Sequence, residues 1–156
     1  MQHLPFSVDL RLRTQHLSIG EMTGGVADDV LRQEVHPGKW SALDNIAHLA
    51  VFHPIFQRRL QRVADEETPL FEPYVWQEDA LFAEYRKLSN RELLAQYRHD
   101  REAFVRFVEG LKAGDFRRQG RHQAYGTVSA AQLIEMFVLH ESHHLFTIFK
   151  LLNFGK

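Results

Sequence analysis

The run LHESHHLFTIFKLL, residues 139–152, sets three imidazoles and a carboxylate into an otherwise apolar stretch. Histidine is both a tolerable core residue and a strong transition-metal ligand. His140, His143 and His144 can therefore be packing, tuning a proton or holding a metal. Apolar spacing of three and four runs through Ala130, Leu133, Phe137, His140, His144, Thr147 and Leu151. His140 and His144 thus take consecutive places on one helical seam, about 40° apart around the axis and ~6 Å along it. Both rings reach one point. His143 falls on the flank, which fits a supporting place beside a metal or a surface position. Two neighbouring imidazoles burden a core: neutral, each needs hydrogen-bond partners, and charged, they repel and lose hydration. A divalent metal resolves both problems by taking lone pairs from neutral rings. H-x-x-x-H alone also fits a hydrogen-bonded structural pair, so a third ligand on another helix decides the matter.

The stretch WSALDNIAHLAVFHPIF offers His48 and His53 as that third ligand. They stand about 140° apart around a helix and cannot both serve one site without strain. His53 lies on the seam Ile46, Leu49, His53, Phe56, Leu60, while His48 shares another apolar face with Val51, Phe52 and Ile55. Periodicity does not choose between them. Among the carboxylates, Glu141 points about 100° away from His140, toward a solvated or supporting role. Asp44, one turn before His48, either orients that ring or serves only as a first-turn carboxylate of its helix. His122 and Tyr125, just before the last helix, are placed to line the mouth of a site.

Positioning these groups takes helices. Residues 6–32 show helical spacing, broken at the TGG of 23–25. HPGKW at 36–40 is a loop, and Ser41 with Asp44 opens a helix to about Asp65 that Pro54 should kink or shorten. TPLFEP punctuates the chain again. LSNRELL then makes Ser89 a cap answered by Glu92, and VSAAQLI repeats the design with Ser129 and Gln132. The third long helix ends near Lys112, RHQAYGT at 121–127 reads as a loop, and no stretch alternates convincingly as a strand. The pattern predicts an all-α antiparallel bundle of four long helices.

The 156 residues fit one domain, 1–156, with 44% hydrophobic and 25% charged residues. A net charge of −1 gives no global field for nucleic acid or acidic membrane. QRRLQR and FRRQGR read as solvated surface. The chain has no cysteine, so thiol chemistry needs an external sulfur. No basic-then-apolar leader is evident, and apolar stretches are interrupted short of a membrane span. The expected location is the cytoplasm.

PGKWSALDNIAHLA, with HESHHLFTI far downstream, resembles the DinB/YfiT-like superfamily of metalloenzymes. The resemblance covers most of the chain and implies an up-and-down four-helix bundle with one long crossover. It implies one divalent ion, usually zinc or nickel, on three histidines: the first follows the tryptophan of GKWS at a fixed interval, here His48. The others are the ends of H-x-x-x-H, His140 and His144. His53 falls where relatives often carry an acidic or histidine residue near the metal, and Trp40 plugs the core behind the helix start. Better-known members use a low-molecular-weight thiol (bacillithiol, mycothiol or glutathione) in S-transfer, isomerisation or related reactions. Three neutral imidazoles leave the metal its double charge and open positions, which lowers the pKa of bound water to roughly 7 and ionises a coordinated thiol. The expected activity is thiol activation for S-transfer to a small electrophile, with metal-dependent hydrolysis or a non-catalytic metal-binding stress-response scaffold as alternatives. Relatives are often dimeric, and Ile134, Val138, Leu145, Phe149 and Leu152 form a second apolar stripe on the last helix. Either TPLFEPYVW or a second copy must cover it, and a homodimer is the expectation.

Overall fold

Three helix starts are closed by reciprocal caps. In the computed structural model, which describes residues 3–155, the hydroxyls of Ser41, Ser89 and Ser129 accept from the backbone N–H groups of Asp44, Glu92 and Gln132. Those three side chains reach back to the capping residues' own N–H groups. In chain order the helices are α1 (Phe6–Thr14), α2 (Leu17–Thr23), α3 (Asp28–Leu31), α4 (Ala42–Asp65), α5 (Ala80–Tyr85), α6 (Asn90–Gly110) and α7 (Ala130–Phe154). α4 packs against both α6 and α7, while α1 and α2 lie along α7. The bundle thus has three long members and a fourth made of two pieces. That fourth member ends at the TGG as expected, α2 stopping at Thr23, and has one further break at Gln15–His16. There the Gln15 side chain leaves the α1 surface to bond the Val138 carbonyl and Glu141 of α7.

Pro54 does not shorten α4, which runs to Asp65 as capped. A proline removes the amide that would bond the carbonyl four residues earlier, here that of Ala50. The His53 ring supplies the missing donor: its Nδ1 lies 3.2 Å from the Ala50 oxygen.

The segment expected to be a loop before α7 is a hairpin. Strand β1 (Gln119–His122) pairs antiparallel with β2 (Gly126–Ser129), from Gln119↔Ser129 to His122↔Gly126. Gly126 turns the chain at φ 70°, a conformation that glycine adopts without a Cβ penalty. Only Gly120 and Val128 of the pair are buried, so no apolar alternation marks these strands in the sequence. Leu70 bridges to Arg121, tying the long connection between α4 and α6 to this hairpin. A side chain at Gly120 would collide with the buried Phe71 ring.

The second apolar stripe of α7 is largely covered from within the chain. Ile134 and Val138 are fully buried in one core cluster with Val8 and Leu12 of α1, and Leu145 and Leu152 are partly buried in another. Val8 and Leu12 of α1 share the first cluster with Phe71 of the crossover segment, and Ile19 of α2 belongs to the second. On the inward seam, Thr147 and Leu151 are only half-buried, and Glu141 and Ile148 take the core positions instead. Among the described residues no helix is long and apolar enough to cross a membrane.

Candidate metal centre

His48 from α4 meets His140 and His144 from α7. The His140 Nε2 lies 3.2 Å from the Nε2 of His48 and 3.1 Å from that of His144, and one ligand atom from each ring falls within 4.8 Å of the others. An ion held tetrahedrally at ~2.0–2.1 Å from nitrogen separates its ligands by about 3.3 Å. The His140 nitrogen therefore already stands at coordination spacing from both of the others.

Their protonation fits a cation as well. Burial, and then the His144 and His140 rings, push His48 down to about 2. Burial with His144, His143 and Arg59 brings His140 to about 3, and burial with His143 brings His144 to about 4. All three rings are neutral at ordinary pH. The tautomer of His144 is set by Asn45, whose Oδ1 lies 2.7 Å from Nδ1 while its Nδ2 donates to the Ser41 carbonyl at 2.8 Å. An amide oxygen can only accept, so Nδ1 carries the proton and Nε2 presents its lone pair. Three facing nitrogens cannot all be satisfied by the protons left to share. A divalent ion satisfies them together.

Aromatic walls hold the other rings. His48 sits between Trp40 and Phe52, at centroid distances of 4.6 and 4.4 Å, and His140 stacks on Phe52 at 4.3 Å. Trp40 also lies nearly parallel to His144 at 6.1 Å. It is half-buried, a wall of the site as well as a plug at the helix start. The His48 and His140 Nδ1 atoms are buried and have no hydrogen-bond partner among the described residues.

The supporting residues expected from the sequence take different places. Asp44 does not orient His48; its carboxylate caps α4 through the Ser41 N–H and pairs with Arg86 at 2.5 Å. His143 is exposed, edge-on to His144 at 5.2 Å. Glu141 is not solvated: it is 1% exposed and bonded to Arg101, Tyr97 and Gln15. His53 joins that second network, accepting from Arg101 Nε at 2.9 Å through Nε2. Arg101, itself fully buried, also donates to the Leu12 carbonyl at 2.8 Å, so one guanidinium ties α1, α4, α6 and α7 together. Such a pair leaves a costly buried charge if either partner is lost. Asn45 and Arg101 were not singled out from the sequence. Asn45 carried one signal, a polar residue one turn before His48.

A cavity of about 630 Å³ opens beside His140. Phe52, Phe56, Phe71, Met136 and Leu139 make it largely apolar, and His122 and Tyr125 of the hairpin line it, as their place before α7 suggested. Among the described residues only three metal-ligating side chains converge, and no fourth joins them. A structural site closes its fourth position with protein, whereas a catalytic one leaves it to water or substrate.

The sequence pattern of the DinB superfamily matches residues 18–148. Among solved structures, YfiT from Bacillus subtilis, described as a probable metal-dependent hydrolase with an unusual four-helix bundle topology, superposes with a TM-score of 0.79. Identity is 20%, over 93% of this chain and 83% of that one. A mycothiol-dependent maleylpyruvate isomerase gives a TM-score of 0.74 at 16% identity, over 92% of this chain. This chain spans only 60% of the isomerase's length. At these identities the likeness carries the fold, an all-α four-helix bundle. No curated protein sequence matches.

Proposed function

Because the chain belongs to the DinB superfamily, we propose that His48, His140 and His144 hold one divalent ion, zinc or nickel, in an enzyme acting on a small molecule. The observation that carries this reading is the three-nitrogen cluster, without a fourth protein ligand among the described residues, beside the cavity at His140. When bound, the ion supplies Lewis acidity, enough to ionise a coordinating thiol or water near neutral pH. The chain's own residues do the rest. Asn45 keeps the His144 Nε2 free of its proton, and Trp40 and Phe52 exclude water from the rings. The apolar cavity orients the reactant toward His140.

The reaction we assign is activation of a low-molecular-weight thiol for transfer to an electrophile. The sulfur loses its proton to solvent, forms a bond to an electrophilic carbon, and the leaving group departs with its electron pair. The absence of cysteine from the chain is consistent with a sulfur brought from outside, and the isomerase of the same fold is described as mycothiol-dependent. Hydrolysis is the second reading, favoured by the description of YfiT.

Elemental analysis of the purified protein should find one divalent ion per chain, lost in His48→Ala, His140→Ala and His144→Ala. Retention of stoichiometric metal by any one variant removes that residue from the site. A panel of thiols with monobromobimane or chlorodinitrobenzene should then show metal-dependent conjugation that chelation abolishes. If no thiol perturbs the spectrum of the cobalt-substituted protein while an ester or amide is cleaved, the hydrolase reading replaces the transferase. Metal with neither activity returns the site to a structural role.

A further inference from the structure

Arg59 stands three turns beyond His48 on the same side of α4, since eleven residues bring a helix back to within about 20°. It lines the cavity that His140 borders. Its NH2 donates to the Glu72 carbonyl at 3.0 Å, and its guanidinium lies over the Phe56 and Phe71 rings at 5.4 and 5.7 Å. Nothing else satisfies it: among the described residues Arg59 makes no ion pair and no further hydrogen bond. Glu72 contributes its main-chain oxygen, not its carboxylate. Burial pulls the Arg59 guanidinium below its ordinary range, and its charge is felt at both His140 and His122.

A half-buried cation without an anion is costly to keep. Of the other buried or half-buried arginines, Arg101 pairs with Glu141, Arg13 with Asp9 and Glu109, and Arg62 with Glu66. Arg11 bonds only the Ser7 carbonyl, but it does not line the cavity, as Arg59 does. The free edge of a guanidinium is a planar fork matched to a carboxylate. The cavity that Arg59 and His140 both line is walled by Phe52, Phe56, Phe71, Met136 and Leu139. Helical side chains lean toward the N-terminus of their helix, so Arg59 reaches back toward the histidines. The ~16 Å between the two backbone positions then shortens to on the order of 10 Å at the side chains.

We propose that Arg59 is an anion-recognition residue, and that the cavity takes an organic carboxylate whose apolar body lies along Phe52, Phe56 and Phe71 and whose other end faces His140. The inference rests on the metal-dependent reading only for what happens at the His140 end. The carboxylate subsite itself needs no metal.

Phenylbutyrate, its neutral amide and phenylpropanesulfonate serve as probes, titrated calorimetrically into metal-loaded and metal-stripped protein. Phenylbutyrate should bind about tenfold or more tightly than the amide in both forms. Arg59→Gln should erase that difference and leave the amide's affinity little changed. Arg59→Lys, which keeps the charge but not the fork, should retain part of it and decides the matter if the glutamine variant does not fold. A sulfonate equal to the carboxylate assigns the subsite to oxyanions in general; a weaker one assigns it to planar carboxylates. Equal binding of acid and amide, no binding of phenylbutyrate at millimolar concentration, or an acid preference that survives Arg59→Gln overturns the proposal. A preference present only with metal means that the ion itself takes the carboxylate, and also overturns it. Loss of the metal reading would appear separately, in the elemental analysis.

Discussion

Asn45 is held at both ends of its amide, by the Ser41 carbonyl and by His144 Nδ1. Metal-ligating histidines are commonly fixed by such a partner, and losing it typically costs 10–100-fold in affinity. Asn45→Leu, close in volume but unable to accept, should therefore weaken metal binding by about that factor, measured by competition with a chromogenic chelator. Unchanged affinity would show that the aromatic walls alone fix His144. The same rings make the metal-free protein acid-sensitive. His48, His140 and His144 bind protons less readily in the fold, at about 2, 3 and 4, than at their ordinary 6.5. The unfolded chain thus takes up protons first as pH falls. Their contribution is whole above about pH 6.5 and declines steadily below it toward the folded values. His16, pushed down to about 4 by burial and by Arg101, and His53, lowered mainly by burial, act in the same direction. Urea midpoints of the metal-free protein should drop between pH 7 and pH 5, and less steeply in a His140→Phe variant. A flat profile would mean that the rings are hydrated rather than buried.

Within α4, Pro54 and His53 act as a unit. The proline orphans the Ala50 carbonyl, the His53 ring donates to it, and that donation leaves Nε2 free to accept from Arg101. A helix that should have kinked or stopped instead anchors the network joining four elements. His53→Leu removes one acceptor and one donor from the core, and should cost about 1–3 kcal/mol in urea unfolding. In a Pro54→Ala background the backbone amide again reaches Ala50, so the same substitution should cost less. Equal costs in the two backgrounds would separate the proline from the histidine.

For the molecule as a whole, the apolar face of α7 left for a second copy is smaller than the sequence implied. Ile134 and Val138 are buried in one cluster with Val8 and Leu12 of α1 and Phe71 of the crossover. Phe146 and Phe154 remain 62% and 72% exposed, beside the partly exposed Leu139 and Phe149. Phe146 and Phe149 are nearly parallel at 6.4 Å, and Phe154 meets Phe149 edge-on. Light scattering at micromolar concentration should give the mass of a dimer that Phe146→Ser with Phe149→Ser converts to monomer. A monomer mass in the unaltered protein would leave these rings as a small exposed aromatic cluster of a monomeric surface.

What could be read from the residues alone was local. Ser41, Ser89 and Ser129 announce their helices because capping is settled within four residues of chain. The pairing of His140 with His144 follows from helical pitch alone. The third histidine was a different kind of question: His48 and His53 both lie on apolar faces of one helix, and both are buried. Periodicity left it open and the family resemblance named His48; the packing of α4 between α6 and α7 is what turns His48 toward one neighbour and His53 toward Arg101 on the other. The hairpin was hidden because a strand pair that buries only Gly120 and Val128 has no alternating face to display. Asn45 and Arg59 look like ordinary helix-surface polar residues in one dimension. Their partners, or the lack of them, exist only once the Asn45 amide meets a ring from α7 and Arg59 is enclosed by the connection at Phe71–Glu72. Side-chain periodicity states which residues share a face; which face meets which is a property of tertiary packing.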